Sequence, residues 1–252
     1  MINVHRLFAV AAVALIEPGA AWAADPGTWT GIYIGANAGY GWGSSTGSRD
    51  GFSPDFADTI DNGANVPTAF DVASTGSVFG GQVGYNWQIG MFVLGFETDV
   101  QKADIAGSQT IQLAGNTGGG FAPSVSTAQD HLDWFGTARA RLGVVPCTNL
   151  LIYGTGGFAL GSVDDRATLD FNPATAGTFA GARSSVQGGW SAGGGGEYRL
   201  TPQLSIKAEY LHLDLGTNPV RLLDPVHFPG SFVSYRFSHV QDIARVGMNW
   251  RF

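Results

Sequence analysis

Apolar and polar positions alternate with a period of two along most of this chain, the pattern of strands with one greasy face. In the first segment Ile32, Ile34, Ala36, Ala38, Tyr40 and Trp42 share a face, opposite Tyr33, Gly35, Asn37, Gly39 and Gly41. A second sets Phe79, Val83, Tyr85 and Trp87 against Gly80, Gln82, Gly84 and Asn86. A third sets Phe92, Leu94, Phe96 and Val100 against Gly95, Glu97, Asp99 and Gln101. In the fourth, Leu132, Trp134, Ala138, Ala140 and Leu142 oppose Asp133, Thr137, Arg139 and Arg141. The fifth, Leu150 to Leu160, is apolar on both faces, so its phase stays open. The sixth sets Trp190, Ala192 and Tyr198 against Ser191, Glu197 and Arg199; the seventh sets Leu204, Ile206, Ala208 and Tyr210 against Ser205, Lys207 and Glu209. In the last, Ala244, Val246, Met248, Trp250 and Phe252 oppose Arg245, Asn249 and Arg251.

The connections alternate in length. Gln88 to Gly90, Pro146 to Asn149 and Thr201-Pro202 are tight, whereas those near Gly43 to Gly76, Ala103 to Asp130, Ser162 to Gln187 and Gly216 to Arg236 are long. About eight segments of roughly ten residues, with short turns at one end and four long loops at the other, predict an all-β fold. It is a transmembrane antiparallel up-and-down barrel with periplasmic turns and extracellular loops. Aromatic positions agree. Trp42, Trp134 and Trp190 fall at the outer ends of their strands, and Trp29, Tyr85, Trp87, Tyr198 and Trp250 at the periplasmic ends, as two interfacial girdles require. A soluble eight-stranded barrel such as a lipocalin would need an apolar inside and a charged outside, the reverse of this distribution.

The N-terminus is of another kind. Arg6, the apolar run Leu7 to Ile16, Pro18-Gly19 and then Ala21-Trp22-Ala23 form a secretory signal with cleavage expected between Ala23 and Ala24. Residues 1–23 are thus expected to be removed, leaving 24–252 as one barrel domain. Ten apolar residues are too few for a helix that crosses a ~30 Å hydrocarbon core.

Composition adds 38 Gly and only 13% charged residues, with a net charge of −7 and no basic stripe for nucleic acid. The single cysteine, Cys147, allows no intrachain disulfide and reads as a turn residue.

The segments GIYIGANAGYGWG (31–43), FGGQVGYNWQIGMFVLGFETDVQ (79–101), WFGTARARLGVV (134–145), LIYGTGGFALG (151–161), GWSAGGGGEYRL (189–200), LSIKAEYLHLDLG (204–216) and ARVGMNWRF (244–252) resemble the alphaproteobacterial outer-membrane immunogenic proteins. These are small porin-like surface antigens grouped with OmpA-type transmembrane domains. The likeness covers the strands and fails in the long loops. It implies a Gram-negative outer-membrane surface antigen that supports the envelope, and it does not imply catalysis.

Several motifs carry possible chemistry. Gly154-x-Gly156-x-x-Ala159 formally matches a dinucleotide fingerprint, but no helix is expected after it. His131, His212, His227 and His239 are expected near the outer rim, where one beside Asp214 or Asp242 could polarise Ser238; no fixed spacing supports an enzyme, and no cofactor is expected. Asp55, Asp58 and Asp61 lack the calcium-loop spacing and read as a solvated acidic loop, with weak cation bridging to lipopolysaccharide as the alternative.

The inner-face charges are the strongest site-like feature. Glu97, Asp99, Asp133, Glu197 and Glu209 are expected to face Arg139, Arg141, Arg199, Lys207, Arg245 and Arg251 in a lumen just wide enough for side chains to fill. Two readings stand: a charge-plugged structural barrel, or a small porin passing ions or small solutes through a charged constriction. A loop-borne receptor for haem or a host ligand is a third. Expected partners are outer-membrane lipid, lipopolysaccharide, an unknown surface ligand and the barrel-assembly machinery, to which Trp250 and Phe252 present the terminal aromatic signal.

Overall fold

The computed structural model describes residues 28–54, 66–115, 123–171 and 177–252. The expected cleavage site at Ala23-Ala24 and the acidic residues Asp55, Asp58 and Asp61 lie outside them.

Eight antiparallel strands, each paired with the next, form a closed barrel. They are β1 (Gly31–Phe52), β2 (Ala69–Ile89), β3 (Phe92–Leu113), β4 (Ser124–Cys147), β5 (Leu150–Asp170), β6 (Thr178–Arg199), β7 (Leu204–Leu223) and β8 (Phe232–Arg251). The ring shuts where β1 meets β8, from Tyr33↔Arg251 to Phe52↔Val233. Closure leaves no free edge, which is the condition for placing a sheet in hydrocarbon. Gly90, with a φ of 60°, makes the tight β2–β3 turn.

The strands are 20 to 24 residues long, about twice the expected length. At ~3.3 Å per residue and a ~40° tilt a 22-residue strand stands about 55 Å tall, far more than a membrane needs. Most of each expected long loop is therefore strand. The reason is a change of solvent along each strand. Between the belts the outer face carries Ile34, Phe79, Val83, Phe96, Phe158 and Val246, all exposed, as lipid contact demands. Beyond Trp42 and Trp190 the alternation continues with its polarity reversed. Phe70, Val72, Leu169, Leu222, Tyr235 and Phe237 point inward and are fully buried, while Asp71, Thr168, Arg221 and Arg236 point out. A strand with a polar outside and an apolar inside reads as a loop to a search for greasy outer faces.

Two side-chain placements differ from expectation, and a third, left open, is fixed. Leu132 points inward, because the β4–β5 register shifts between Leu132 and Trp134 and a bulge at Asp133 flips the phase of everything beyond it. Trp29 is buried inside the short-turn end instead of facing lipid. The fifth strand resolves with Leu151, Tyr153 and Ala159 inward and Ile152, Phe158 and Leu160 outward.

Candidate functional site: the charged lumen

Adjacent strands set opposite charges on shared rungs. Glu97 and Arg139 are Cα partners, as are Glu197 and Lys207, and Glu209 and Arg245. Because neighbours on a rung point the same way, the alternation alone brings these groups together inside the ring.

The contacts are dense. Arg139 Nη2 donates to Glu97 Oε1 at 2.7 Å and to Asp99 Oδ2 at 2.8 Å, while its Nη1 reaches Glu209 Oε1 at 3.3 Å. Arg245 donates to Asp99 Oδ2 at 2.9 Å and, through Nε, to Glu209 Oε2 at 2.7 Å. Lys207 Nζ bonds both oxygens of Glu97 at 2.9 Å. Arg141 donates to Glu197 Oε2 at 2.5 Å and stacks 3.5 Å over the ring of Tyr153. The hydroxyls of Tyr33 and Tyr153 donate to Glu97 (2.8 Å) and Glu209 (3.0 Å). Four carboxylates thus meet four cations, all buried, and the cluster is neutral. Isolated charges at this depth would each cost several kcal/mol, which the mutual pairing offsets.

An amide relay extends the network. Asn37 Nδ2 donates to Gln82 Oε1 (2.6 Å), Gln82 Nε2 to Asn249 Oδ1 (2.8 Å), and Asn249 Nδ2 to Glu197 Oε1 (2.9 Å). Tyr33 reaches Glu97 because its partner on β2 is Gly84; a Cβ there would lie 2.4 Å from the phenol ring.

Arg199 and Arg251 point inward at the short-turn end. Their guanidinium carbons sit 4.4 and 5.7 Å from the ring centre of Trp29, and they donate to the carbonyls of Thr28 (2.8 Å) and Pro202 (2.6 Å). They close the short-turn mouth. On the far side an apolar layer including Phe135, Leu211, Leu213 and Ile243 covers the charges.

Asp133 does not belong to the lumen. The bulge that turns Leu132 inward turns Asp133 outward, where it pairs with Lys102 and is 43% exposed. Trp250 and Phe252 face outward, and the Phe252 amide donates to Ile32 O at 3.0 Å, fixing the chain end to β1.

Of the histidines, His131 meets Asp104 (3.2 Å) and His212 meets Asp242 (2.8 Å) on the outer surface, and His227 meets Asp224 (3.0 Å) in the last long connection. Desolvation raises the Asp224 carboxyl, but the backbone amides of His227 and Val226 and the His227 side chain together hold it below the usual range. His239 is buried inside the barrel, bonded to Ser45 and Asp165, and Ser238 is not its partner. Sequence reasoning missed Tyr33, Tyr153 and the Ser45–His239–Asp165 contact, since partners from distant strands leave no local spacing to read. Gly154 and Gly156 lie on β5, with a strand following.

The outer membrane protein beta-barrel domain family matches residues 8–252. The 31 kDa outer-membrane immunogenic protein of Brucella melitensis biotype 1 is 35% identical over 257 aligned positions, covering 99% of this chain and 97% of that protein. The 22 kDa outer membrane protein of Rhizobium leguminosarum bv. viciae is 26% identical, over 75% of this chain and 65% of that one. The crystal structure of OprG from Pseudomonas aeruginosa has the same fold, with a TM-score of 0.51 at 12% identity over 90% of this chain and 98% of that one. A ring of eight strands with a lipid-suited exterior and a full-length family match together mean that the chain belongs to the outer membrane protein beta-barrel family.

Proposed function

We propose that this outer-membrane barrel is a structural surface protein whose lumen is closed by its own charges, with the long-loop end facing the outside of the cell. The observation that carries this reading is the neutral cluster of four carboxylates and four cations spanning the ring. A conducting path needs side chains that an ion can displace or exchange with water. Here Arg139 alone is held by three carboxylates and Thr137, and an apolar layer covers the cluster. The porin reading keeps support from the family resemblance alone. Of the rim pairs expected, His212 lies beside Asp242 at 2.8 Å.

Purified protein in planar bilayers tests the proposal. The expected single-channel conductance is small, and a large, steady wild-type current would replace the plug with a pore. The proposed partners suit this surface. Lipid and lipopolysaccharide meet the belts, and the assembly machinery takes the exposed Trp250 and Phe252 row. Deleting Phe252 is expected to deplete the protein from outer-membrane fractions; normal levels would rule out that role for the terminal residue.

A further inference from the structure

Past the outer belt, among the described residues, the barrel interior holds a buried charged group with apolar side chains on either side of it. Leu132, Val163, Leu213 and Leu215 lie on the membrane side, and Ala128, Ala167, Val220 and Phe237 on the other. The group comprises Ser45 of β1, Asp130 of β4, Asp165 of β5, Asn218 of β7 and His239 of β8, each no more than 3% exposed. Ser45 and His239 are Cα partners, and so are Asp130 and Asp165; the His239–Asp165 contact joins the two pairs.

The imidazole is the hub. Its Nε2 lies 3.2 Å from Asp165 Oδ2, and its Nδ1 lies 3.2 Å from Ser45 Oγ and 4.0 Å from Asp130 Oδ2. Asn218 Nδ2 donates to Asp165 Oδ2 at 2.7 Å. Acceptors outnumber donors here: Asp130 Oδ1, Asp165 Oδ1 and Asn218 Oδ1 are buried without a hydrogen bond. Two carboxylates therefore share one imidazole, and among the described residues no arginine or lysine bonds to either. Arg183, the rung partner of Asp165 on β6, lies where the β6–β7 ladder is interrupted and donates to Pro219 O at 3.5 Å. His131, Asp164 and Arg166, next to the two aspartates in sequence, fall on the outward phase of β4 and β5.

We propose that this group is a proton-operated latch, in which Asp130, His239 and Asp165 take up protons from a mildly acidic medium and so tighten the outer extension. A proton on Asp130 relieves its repulsion with Asp165 and supplies a missing donor. Burial pushes the Asp130 carboxyl up to about 6; His239 opposes the shift, Asp165 adds to it, and His131 opposes it. The sign follows from linkage. A carboxyl raised in the folded state stabilises that state when protonated, so the gain is complete below the ordinary carboxylate range and is lost as pH rises through about 6. The latch ties β1, β4, β5, β7 and β8, so its effect belongs to the extension and not to the membrane half.

Amide hydrogen exchange of the full barrel in lipid bilayers, corrected for intrinsic rates, reads the effect at about pH 7.5 and about pH 5.5. Protection around Ser45, Asp165 and His239 is expected to rise at least about tenfold on acidification, with no matching rise around Glu97 and Arg139. Asp130→Asn, a neutral replacement of similar shape, is expected to hold protection near the acid level at both pH values. A flat wild-type profile, or an unchanged pH response in Asp130→Asn, overturns the proposal. Should the variant fail to assemble, infrared spectra of the wild type decide. Growth of a protonated-carboxyl band over the same pH interval is expected, and its absence overturns the latch.

Discussion

Arg139 and Glu97 occupy one rung of the β3–β4 ladder, and the guanidinium donates to the carboxylate at 2.7 Å with both side chains almost fully buried. Removing either partner leaves the buried cluster with one unbalanced charge. Arg139→Ala and Glu97→Ala are each expected to lower stability by about 3–5 kcal/mol, read as a fall in the unfolding temperature in detergent. The same variants are expected to raise a conductance that is small in the wild type, because the side chains that brace the ring also fill it. Unchanged stability with loss of a substantial wild-type current would contradict the plug.

Lys102 and Asp133 form the matching control. They too are an acid–base pair between β3 and β4, but on the outer surface, about half exposed. Asp133→Ala is expected to cost less than about 1 kcal/mol in the same melts. A loss as large as that of Arg139→Ala would mean that the bulge at Asp133 does not turn it outward.

Gly84 tests the fit around Tyr33. Its substitution by Ala places a Cβ 2.4 Å from the Tyr33 ring and 2.7 Å from the Phe96 carbonyl, whereas a Cβ at Gly196 meets nothing within 4 Å. Gly84→Ala is expected to cost about 1–3 kcal/mol through overpacking, with Gly196→Ala close to neutral. Equal melting temperatures for the two would show that Tyr33 does not need the space.

Cys147 reports orientation, since it is exposed at the short β4–β5 turn. An impermeant thiol reagent is expected to leave it unlabelled on intact cells and to label it once the outer membrane is permeabilised. Labelling on intact cells would invert the barrel.

The membrane half was legible because lipid outside and polar groups inside impose one rule on every strand. Phe79, Val83, Tyr85 and Trp87 were assigned outward from the alternation, and they are exposed. The inner positions of Glu97, Asp99, Arg139, Arg141, Glu197, Lys207, Glu209 and Arg245 followed from the same count. What stayed hidden depends on partners or on a break in the period. The bulge at Asp133 changes the count by one and leaves no mark in composition. Phe70, Tyr235 and Phe237 looked like loop residues because water replaces lipid outside them, so their apolar side must turn in. The meeting of Ser45 with His239 spans almost the whole chain and is visible only after the ring has closed.

The reversal of polarity along each strand also fixes how deep the barrel floats. Sinking by one rung pair, about 5 Å along the membrane normal, would drag Lys102, Asp133 and His131 toward hydrocarbon, where a lysine costs up to ~2–4 kcal/mol near the midplane. Rising by the same amount would lift Tyr85, Trp87, Tyr198 and Trp250 out of their interface and bare apolar wall to water. Opposed penalties make a restoring force, so the protein keeps a set draught in the bilayer. The extension then holds its tips at a constant standoff from the lipid, and anything that reaches for them meets a platform of fixed height.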